Sequence, residues 1–222
     1  MTRHKYPRTL HLPFSRSRTS DDKVLTSVDH FLGQDVVVTL KMDGENTSLY
    51  REGYHARSLD SRHHPSRDWL KAYHATFAHD IPEGWRICGE NLYARHSIAY
   101  EALPSYFMGF SVWTEENVAL SWDDSLEFFE LLDIEPVPTL YRGVFDETVL
   151  RNLAKDMDTQ RNEGFVVRLA GAIQYPDFAK SAAKWVRAKH VQTDEHWMHA
   201  AVQPNQLSSS VTDQAGPIES GV

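Results

Sequence analysis

Apolar residues along this chain come in short β-branched runs separated by amphipathic stretches of helical period. The run Val36-Val37-Val38-Thr39-Leu40 predicts a buried strand ending at Lys41, and Asp43-Gly44 follows with a turn signal. Thr47 to Arg51 and Tyr54 to Ser58 flank Glu52-Gly53 and predict a hairpin. From Ser66 to His79 the pattern is helical, with Ser66 as N-cap and Trp69, Leu70, Tyr73 and Phe77 on one face. Arg86 to Glu90, Tyr106 to Trp113, Gly164 to Leu169 and Ala183 to Ala188 predict further strands. Two more helices are predicted over Asp123 to Leu132, capped at Ser121 or Asp123, and over Asp146 to Met157, capped at Asp146. Helices fall between strands and hairpins are present, so the expected class is α+β with mainly antiparallel sheets.

Composition adds limits. The 222 residues are 41% hydrophobic and 24% charged, enough for one sizeable core. With one cysteine, Cys88, neither a disulfide framework nor a cysteine zinc cluster can form, and a reducing, cytoplasmic compartment is the simplest expectation. No apolar stretch approaches the ~20 residues that span a bilayer, so no membrane partner is expected. The net charge of -8 argues against a general polyanion binder, but not against a local basic groove. Residues 1–19 carry Arg3, Lys5, Arg8, Arg16 and Arg18 and no acid, which reads as a solvated arm or as one near a phosphate-bearing ligand. The chain divides into a basic lead-in over 1–35, a main domain over 36–200 and a polar tail over 201–222 expected to be disordered.

Candidate chemistry begins at Lys41. A lysine at the end of an apolar strand becomes a nucleophile when burial or a neighbouring cation lowers its pKa. The glycine of Asp43-Gly44 admits close approach of a phosphate or a backbone. Taken alone, Lys-x-Asp-Gly is better read as a lysine snorkelling from a strand end beside a turn aspartate. Further along lie Gly89-Glu90, the aromatic strand Phe107 to Trp113, Glu163-Gly164 with Arg168, and Lys184-Trp185-Val186-Arg187-Ala188-Lys189. Each has a bland structural reading. Together they supply one lysine, two carboxylates, several cations and an aromatic face, the inventory needed to transfer a nucleotidyl group. Neither a dinucleotide-binding glycine fingerprint nor a P-loop is present.

In their order these segments resemble the covalent nucleotidyltransferases: RNA ligases, DNA ligases and mRNA capping enzymes. Lys41-Met42-Asp43-Gly44-Glu45-Asn46 resembles motif I of the RNA ligase branch, with its asparagine five residues after the lysine. Ala56-Arg57-Ser58, Gly89-Glu90-Asn91, Tyr106 to Trp113, Glu163 to Arg168 and Ala183 to Lys189 resemble the motifs that follow. The resemblance implies an ATP-grasp-like adenylation domain with two mainly antiparallel sheets flanked by helices. It implies an ATP-dependent RNA ligase joining 5′-phosphate and 3′-hydroxyl RNA ends, in RNA repair, through a lysyl-AMP intermediate and an AMP-capped end. Lys41 would be the nucleophile. Asp43, Glu90 and Glu163 would organise Mg²⁺ or Mn²⁺, and burial with the metal would depress the Lys41 pKa. Glu90 would also bond the ribose, and Phe110 would stack on adenine. Asn46, Arg57 and Arg168 would contact phosphates or the metal's water shell.

Motif V departs from the family pattern. Its Lys-x-Lys appears only as Arg187-Ala188-Lys189, so Lys184, Arg187 and Lys189 all remain candidates for the catalytic cation. Lys184 and Arg187 rank first, because Lys189 needs a bulge to share their face. About thirty residues follow Lys189, too few for an appended nucleic-acid-binding domain, so help from an end-healing or accessory protein is expected. The alternatives are a related enzyme acting on DNA nicks or a non-nucleic acceptor, and a non-catalytic module that binds RNA ends.

Overall fold

The computed structural model describes residues 2–16, 22–60, 64–188 and 202–209. Its strands are β1 (Leu10–His11), β2 (Asp35–Lys41), β3 (Glu45–Tyr50), β4 (Gly53–Ala56), β5 (Arg86–Asn91), β6 (Phe107–Trp113), β7 (Val118–Ala119), β8 (Thr139–Val144), β9 (Gly164–Leu169), β10 (Ile173–Gln174) and β11 (Ala182–Val186). The helices are α1 (Asp68–Phe77), α2 (Trp122–Leu131), α3 (Glu147–Asp156) and the short α4 (Phe178–Ser181). One sheet has the order β1-β11-β9-β2-β8, the other β10-β7-β6-β5-β3-β4. Every pairing is antiparallel except that of β1 with β11. The α+β class with two mainly antiparallel sheets is therefore correct.

Alternation along the strands sorts apolar residues into layers. Val36, Val38, Phe165, Val167 and Trp185 face Leu150 and Ala154 of α3 on the outer side of the first sheet. On the outer side of the second, Leu49, Ile87 and Val112 pack on Leu70 and Phe77 of α1 and Phe129 of α2. Between the sheets lie two clusters, one around Val37, Met42, Leu92 and Met108, the other around Cys88, Trp113, Phe178 and Ala182. The cleft between the sheets is thus floored by apolar side chains. β2 and β3, joined by the turn at residues 42–44, each lead into it from the same end.

Local chemistry set most boundaries. Ser121 caps α2 by accepting from the Asp124 amide, and Asp146 caps α3 through the Thr148 amide. Ser66 does not cap a helix as expected. Pro65 opens a 3-10 turn over Pro65–Arg67, and the His64 ring accepts from the Ser66 amide before α1 begins at Asp68. β11 ends at Val186, two residues short of the expected end at Ala188.

Both chain ends correct the expected layout. β1 lengthens the first sheet, and Leu12, Leu25 and Phe31 are buried in its apolar cluster, so the described residues before 35 contribute to the core. At the other end residues 202–209 lie against the body rather than in a disordered tail. Asn205 is buried: its Oδ1 accepts from the Tyr100 amide at 2.9 Å and its Nδ2 donates to Leu92 O at 2.8 Å. Buried amide groups held by several partners fix a segment that composition alone marks as loose.

Candidate active site

Pairing brings Lys41 and a carboxylate together. Lys41, the last residue of β2, is opposite Gly164, the first of β9, so Glu163 stands beside it. Lys41 Nζ donates to Glu163 Oε2 at 2.7 Å, with side-chain exposures of 22% and 1%. Burial and the neighbouring carboxylates pull the lysine pKa in opposite directions. Burial pulls it down, but Glu163, Glu90 and Asp43 more than offset this, and the pKa is raised. Lys41 thus rests here as an ammonium ion.

On the opposite wall Asn46 and Glu90 are paired across β3 and β5. Glu90 Oε1 accepts from the Gly44 amide at 3.1 Å. Burial pushes the Glu90 carboxyl up to about 8, and Glu163 adds to the shift while Lys41 opposes it. A side chain at position 44 would meet Asn91 O at 2.5 Å and Leu92 at 2.8 Å, so only glycine allows the turn to lie this close to β5.

Asp43 has a different place from the one expected. Its Oδ2 accepts from Ser97 Oγ at 2.7 Å and from the Ile98 amide at 2.8 Å, while its own amide donates to Tyr100 Oη at 2.9 Å. The carboxylate braces the turn against the loop at 97–100. No group of three His, Cys, Asp or Glu side chains able to hold a metal ion is found among the described residues. What remains is an oxygen set of two carboxylates, Glu90 and Glu163, joined by Asn46 Oδ1, which is buried with no hydrogen-bond partner. Such hard oxygen donors suit Mg²⁺ or Mn²⁺.

Phe110 owes its place to a β-bulge. Cys88 pairs with Ser111 but Gly89 pairs with Gly109, leaving Phe110 as the extra residue. The bulge lets both Phe110 and Ser111 face the cleft. Strand alternation alone would turn one of them away.

The cations separate. Lys184 on β11 is opposite Val166 on β9, which is opposite Thr39 on β2, so the three form one row across the cleft wall. Burial, reinforced by the charge of Lys41, lowers the Lys184 pKa to about 8. Arg57 lowers it further, while Asp22 and Glu163 oppose the shift. Arg57 itself is exposed just after β4. Arg187 is bound within the protein, donating from Nη1 to Thr159 O at 2.6 Å and from Nη2 to Ser97 Oγ at 3.2 Å. Arg168 does not join the cluster. It is buried over the Trp122 ring and donates to the carbonyls of Leu120 at 2.8 Å and Leu169 at 3.2 Å, which makes it a structural link between layers. Lys189 lies outside the described residues.

The sequence reading missed Ser97, Tyr100 and Asn205. Their loops carry no periodic pattern, and their relation to Asp43 exists only in three dimensions. Arg67 lies next to the lysine turn, where its guanidinium grips both oxygens of Glu45.

A family model described as RNA ligase matches residues 34–186, more than half of the chain. The chain belongs to the RNA ligase family. Lys41, Glu90, Phe110, Glu163 and Lys184 all fall within the matched segment. Solved structures with the same fold include an RNA ligase of Naegleria gruberi with pyrophosphate. It shares 17% identity and a TM-score of 0.51 over 72% of this chain and 51% of that one. An archaeal ATP-dependent RNA ligase shares 14% identity and a TM-score of 0.52, over 82% of this chain and 48% of that one. This RNA ligase family member thus spans about half the length of those proteins. No curated protein sequence matches it. Among its described residues no helix is long and apolar enough to cross a membrane.

The Lys184 geometry in this RNA ligase family member makes a pH prediction. An ammonium that attracts phosphate is charged below its pKa and loses its charge as pH rises through it. Triphosphate binding measured without divalent cation should weaken between about pH 7 and 9. Lys184→Arg, whose side chain stays charged throughout, should reduce that slope, the remainder belonging to Glu90, which gains its negative charge over the same range. A slope identical to that of the unmodified chain would assign it to another group.

Proposed function

We propose that this protein is an ATP-dependent RNA ligase acting through a lysyl-AMP intermediate. The observation that carries the reading is the single ion pair of Lys41 with Glu163 at the mouth of a cleft that also presents Glu90, Phe110 and Lys184. Lys41 Nζ attacks the α-phosphorus of ATP. An N–P bond forms, the bond from that phosphorus to the bridging oxygen breaks, and pyrophosphate leaves. Glu163 orients the amine before attack and is the nearest group to receive its proton. Phe110 supplies a ring face for the base, Glu90 reaches the ribose hydroxyls, and Lys184 neutralises charge on the α-phosphate. Arg57, exposed near the cleft, is placed for the outer phosphates.

Glu90 and Glu163, with the Asn46 oxygen, are the residues that would hold Mg²⁺ or Mn²⁺, whose charge would offset that of the phosphates and favour the neutral amine. Asp43 and Arg187 serve as positioning residues, joined to each other through Ser97.

The second and third steps pass AMP to a 5′-phosphate on RNA and then let a 3′-hydroxyl displace it. RNA repair follows as the setting, with an end-healing enzyme to supply the 5′-phosphate and 3′-hydroxyl termini. The single cysteine, buried at Cys88, suits a reducing, cytoplasmic compartment.

The test is covalent capture. Incubation with ATP labelled at the α-phosphate and Mg²⁺ or Mn²⁺ should leave an acid-labile, alkali-stable label on the full chain, chased onto 5′-phosphorylated RNA when that is added. Folded, AMP-free protein that takes no label with either metal would overturn the reading.

A further inference from the structure

Tyr6 stands at the deep end of the cleft, beyond the segment that matches the family model. Its ring packs edge-on against Phe110, with centroids 5.1 Å apart and planes at 79°. The same ring contacts Phe178 at 5.3 Å and Trp113 at 6.1 Å. The backbone on either side is tied down. The His4 amide donates to Tyr50 Oη at 3.0 Å, and Tyr175 Oη donates to Lys5 O at 3.0 Å. Tyr6 therefore bridges both inner walls, β6 of one sheet and α4 leading into β11 of the other.

Hydroxyl chemistry gathers at this end. Ser111, which the bulge turns inward beside Phe110, is 1% exposed, and its Oγ has no hydrogen-bond partner. The Tyr6 phenol is held well above its ordinary pKa by burial, so it stays neutral and able to donate. Cys88, Arg168, Arg86 and Glu90 all lie within its electrostatic range. A buried hydroxyl without a partner is costly unless a ligand or water supplies one. A flat heterocycle stacked on Phe110 presents polar atoms at its edge, and its far edge would point at these two side chains.

We propose that Tyr6 is a base-binding residue of the nucleotide site: its ring forms the end wall of the base slot along Phe110, and its hydroxyl, with that of Ser111, meets the outer edge of an adenine base. This deepens the proposed function and rests on Phe110 carrying the base. The N-terminal segment thereby completes a site whose other parts all come from residues 41–184. Each hydroxyl can donate or accept, so the pair can satisfy the polar atoms of the base edge, and loss of the Tyr6 hydroxyl removes one of these bonds.

The experiment is equilibrium binding of the α,β-methylene analogue of ATP, which the lysine cannot cleave, to the full chain. Tyr6→Ala should weaken the ATP analogue about tenfold, the scale of one lost aromatic contact. Tyr6→Phe keeps the ring and should weaken the ATP analogue by about the factor of one hydrogen bond, roughly fivefold and less than Tyr6→Ala. Should Tyr6→Ala fail to fold, Tyr6→Leu fills the space against Trp113 and Phe178 and carries the same prediction. Unchanged affinity in all folded variants would overturn the proposal. Tighter binding by Tyr6→Ala would also overturn it, because the ring would then be filling the slot rather than ending it. Absence of binding by the unmodified chain would instead sink the nucleotide reading itself, and the tyrosine with it.

Discussion

Lys41→Arg is expected to fold as the unmodified chain does and to take no covalent label from ATP, a loss of at least about 10,000-fold in the rate of nucleotide capture, as for other enzymes stripped of their nucleophile. The guanidinium keeps a positive charge beside Glu163, so the ion pair survives, but it is not a nucleophile at any accessible pH. That separation matters because Glu163 is 1% exposed and its pair with Lys41 is short. Removing only the cation, as in Lys41→Ala, leaves a carboxylate in a dry site. The fold then loses stability on the order of 3 kcal/mol. Lys41→Ala should therefore also lose the label, with a lower unfolding midpoint. Covalent labelling and chemical denaturation of both variants read the two effects apart. Label retained by Lys41→Arg would place the nucleophile elsewhere, and Lys184, with its pKa near 8, would be the next residue to replace.

Gly164→Ala is expected to be the most damaging single methyl in the chain. A Cβ there would sit 2.0 Å from Trp185 O and 3.1 Å from Val186 Cα. The obstacle is backbone of β11, which is paired on both sides within a five-stranded sheet, and it cannot turn aside as a side chain can. Separating β9 from β11 would break their ladder and move Glu163, one residue away, off Lys41. The expected cost is about 3 kcal/mol or more, with loss of nucleotide capture in whatever protein folds. Gly171→Ala is the control, since nothing lies within 4 Å of its Cβ, and it should change stability by less than about 0.5 kcal/mol. Urea denaturation of the two variants decides it. A Gly164→Ala midpoint equal to that of Gly171→Ala would mean that the strands separate freely at this point.

The elements legible in the sequence are those whose pattern is local. β2 reads as a continuous β-branched run because both its faces are buried, and α2 and α3 announce themselves through Ser121 and Asp146. β8 was not legible. It is an edge strand whose residues are exposed or half-buried along its length, so burial imposed no alternation on Thr139 to Val144. β1 is two residues long and exists only through its partner β11.

In the candidate site, Lys41, Glu90, Phe110, Glu163 and Lys184 were named from residue type and order, and the fold gathers them in and around one cleft. Three neighbours behave differently from their motif positions. Asp43 is engaged by Ser97 and Ile98, Arg187 by Thr159 and Ser97, and Arg168 by two backbone carbonyls. Motif position fixes which strand carries a side chain. Which partner that side chain meets depends on segments that can be distant in sequence, Ser97 lying 54 residues from Asp43 and 90 from Arg187.

The sequence by itself determined the strands that carry the chemistry, because strand and turn propensities act over a few residues and each motif lies on or beside one such element. Tertiary structure alone decided the protonation of Lys41, since that depends on the balance between burial and three carboxylates brought in from separate strands and turns. It also decided the roles of Tyr6 and Asn205. Both lie in segments with no pattern of their own, and their place is set by the surfaces that the finished sheets offer them.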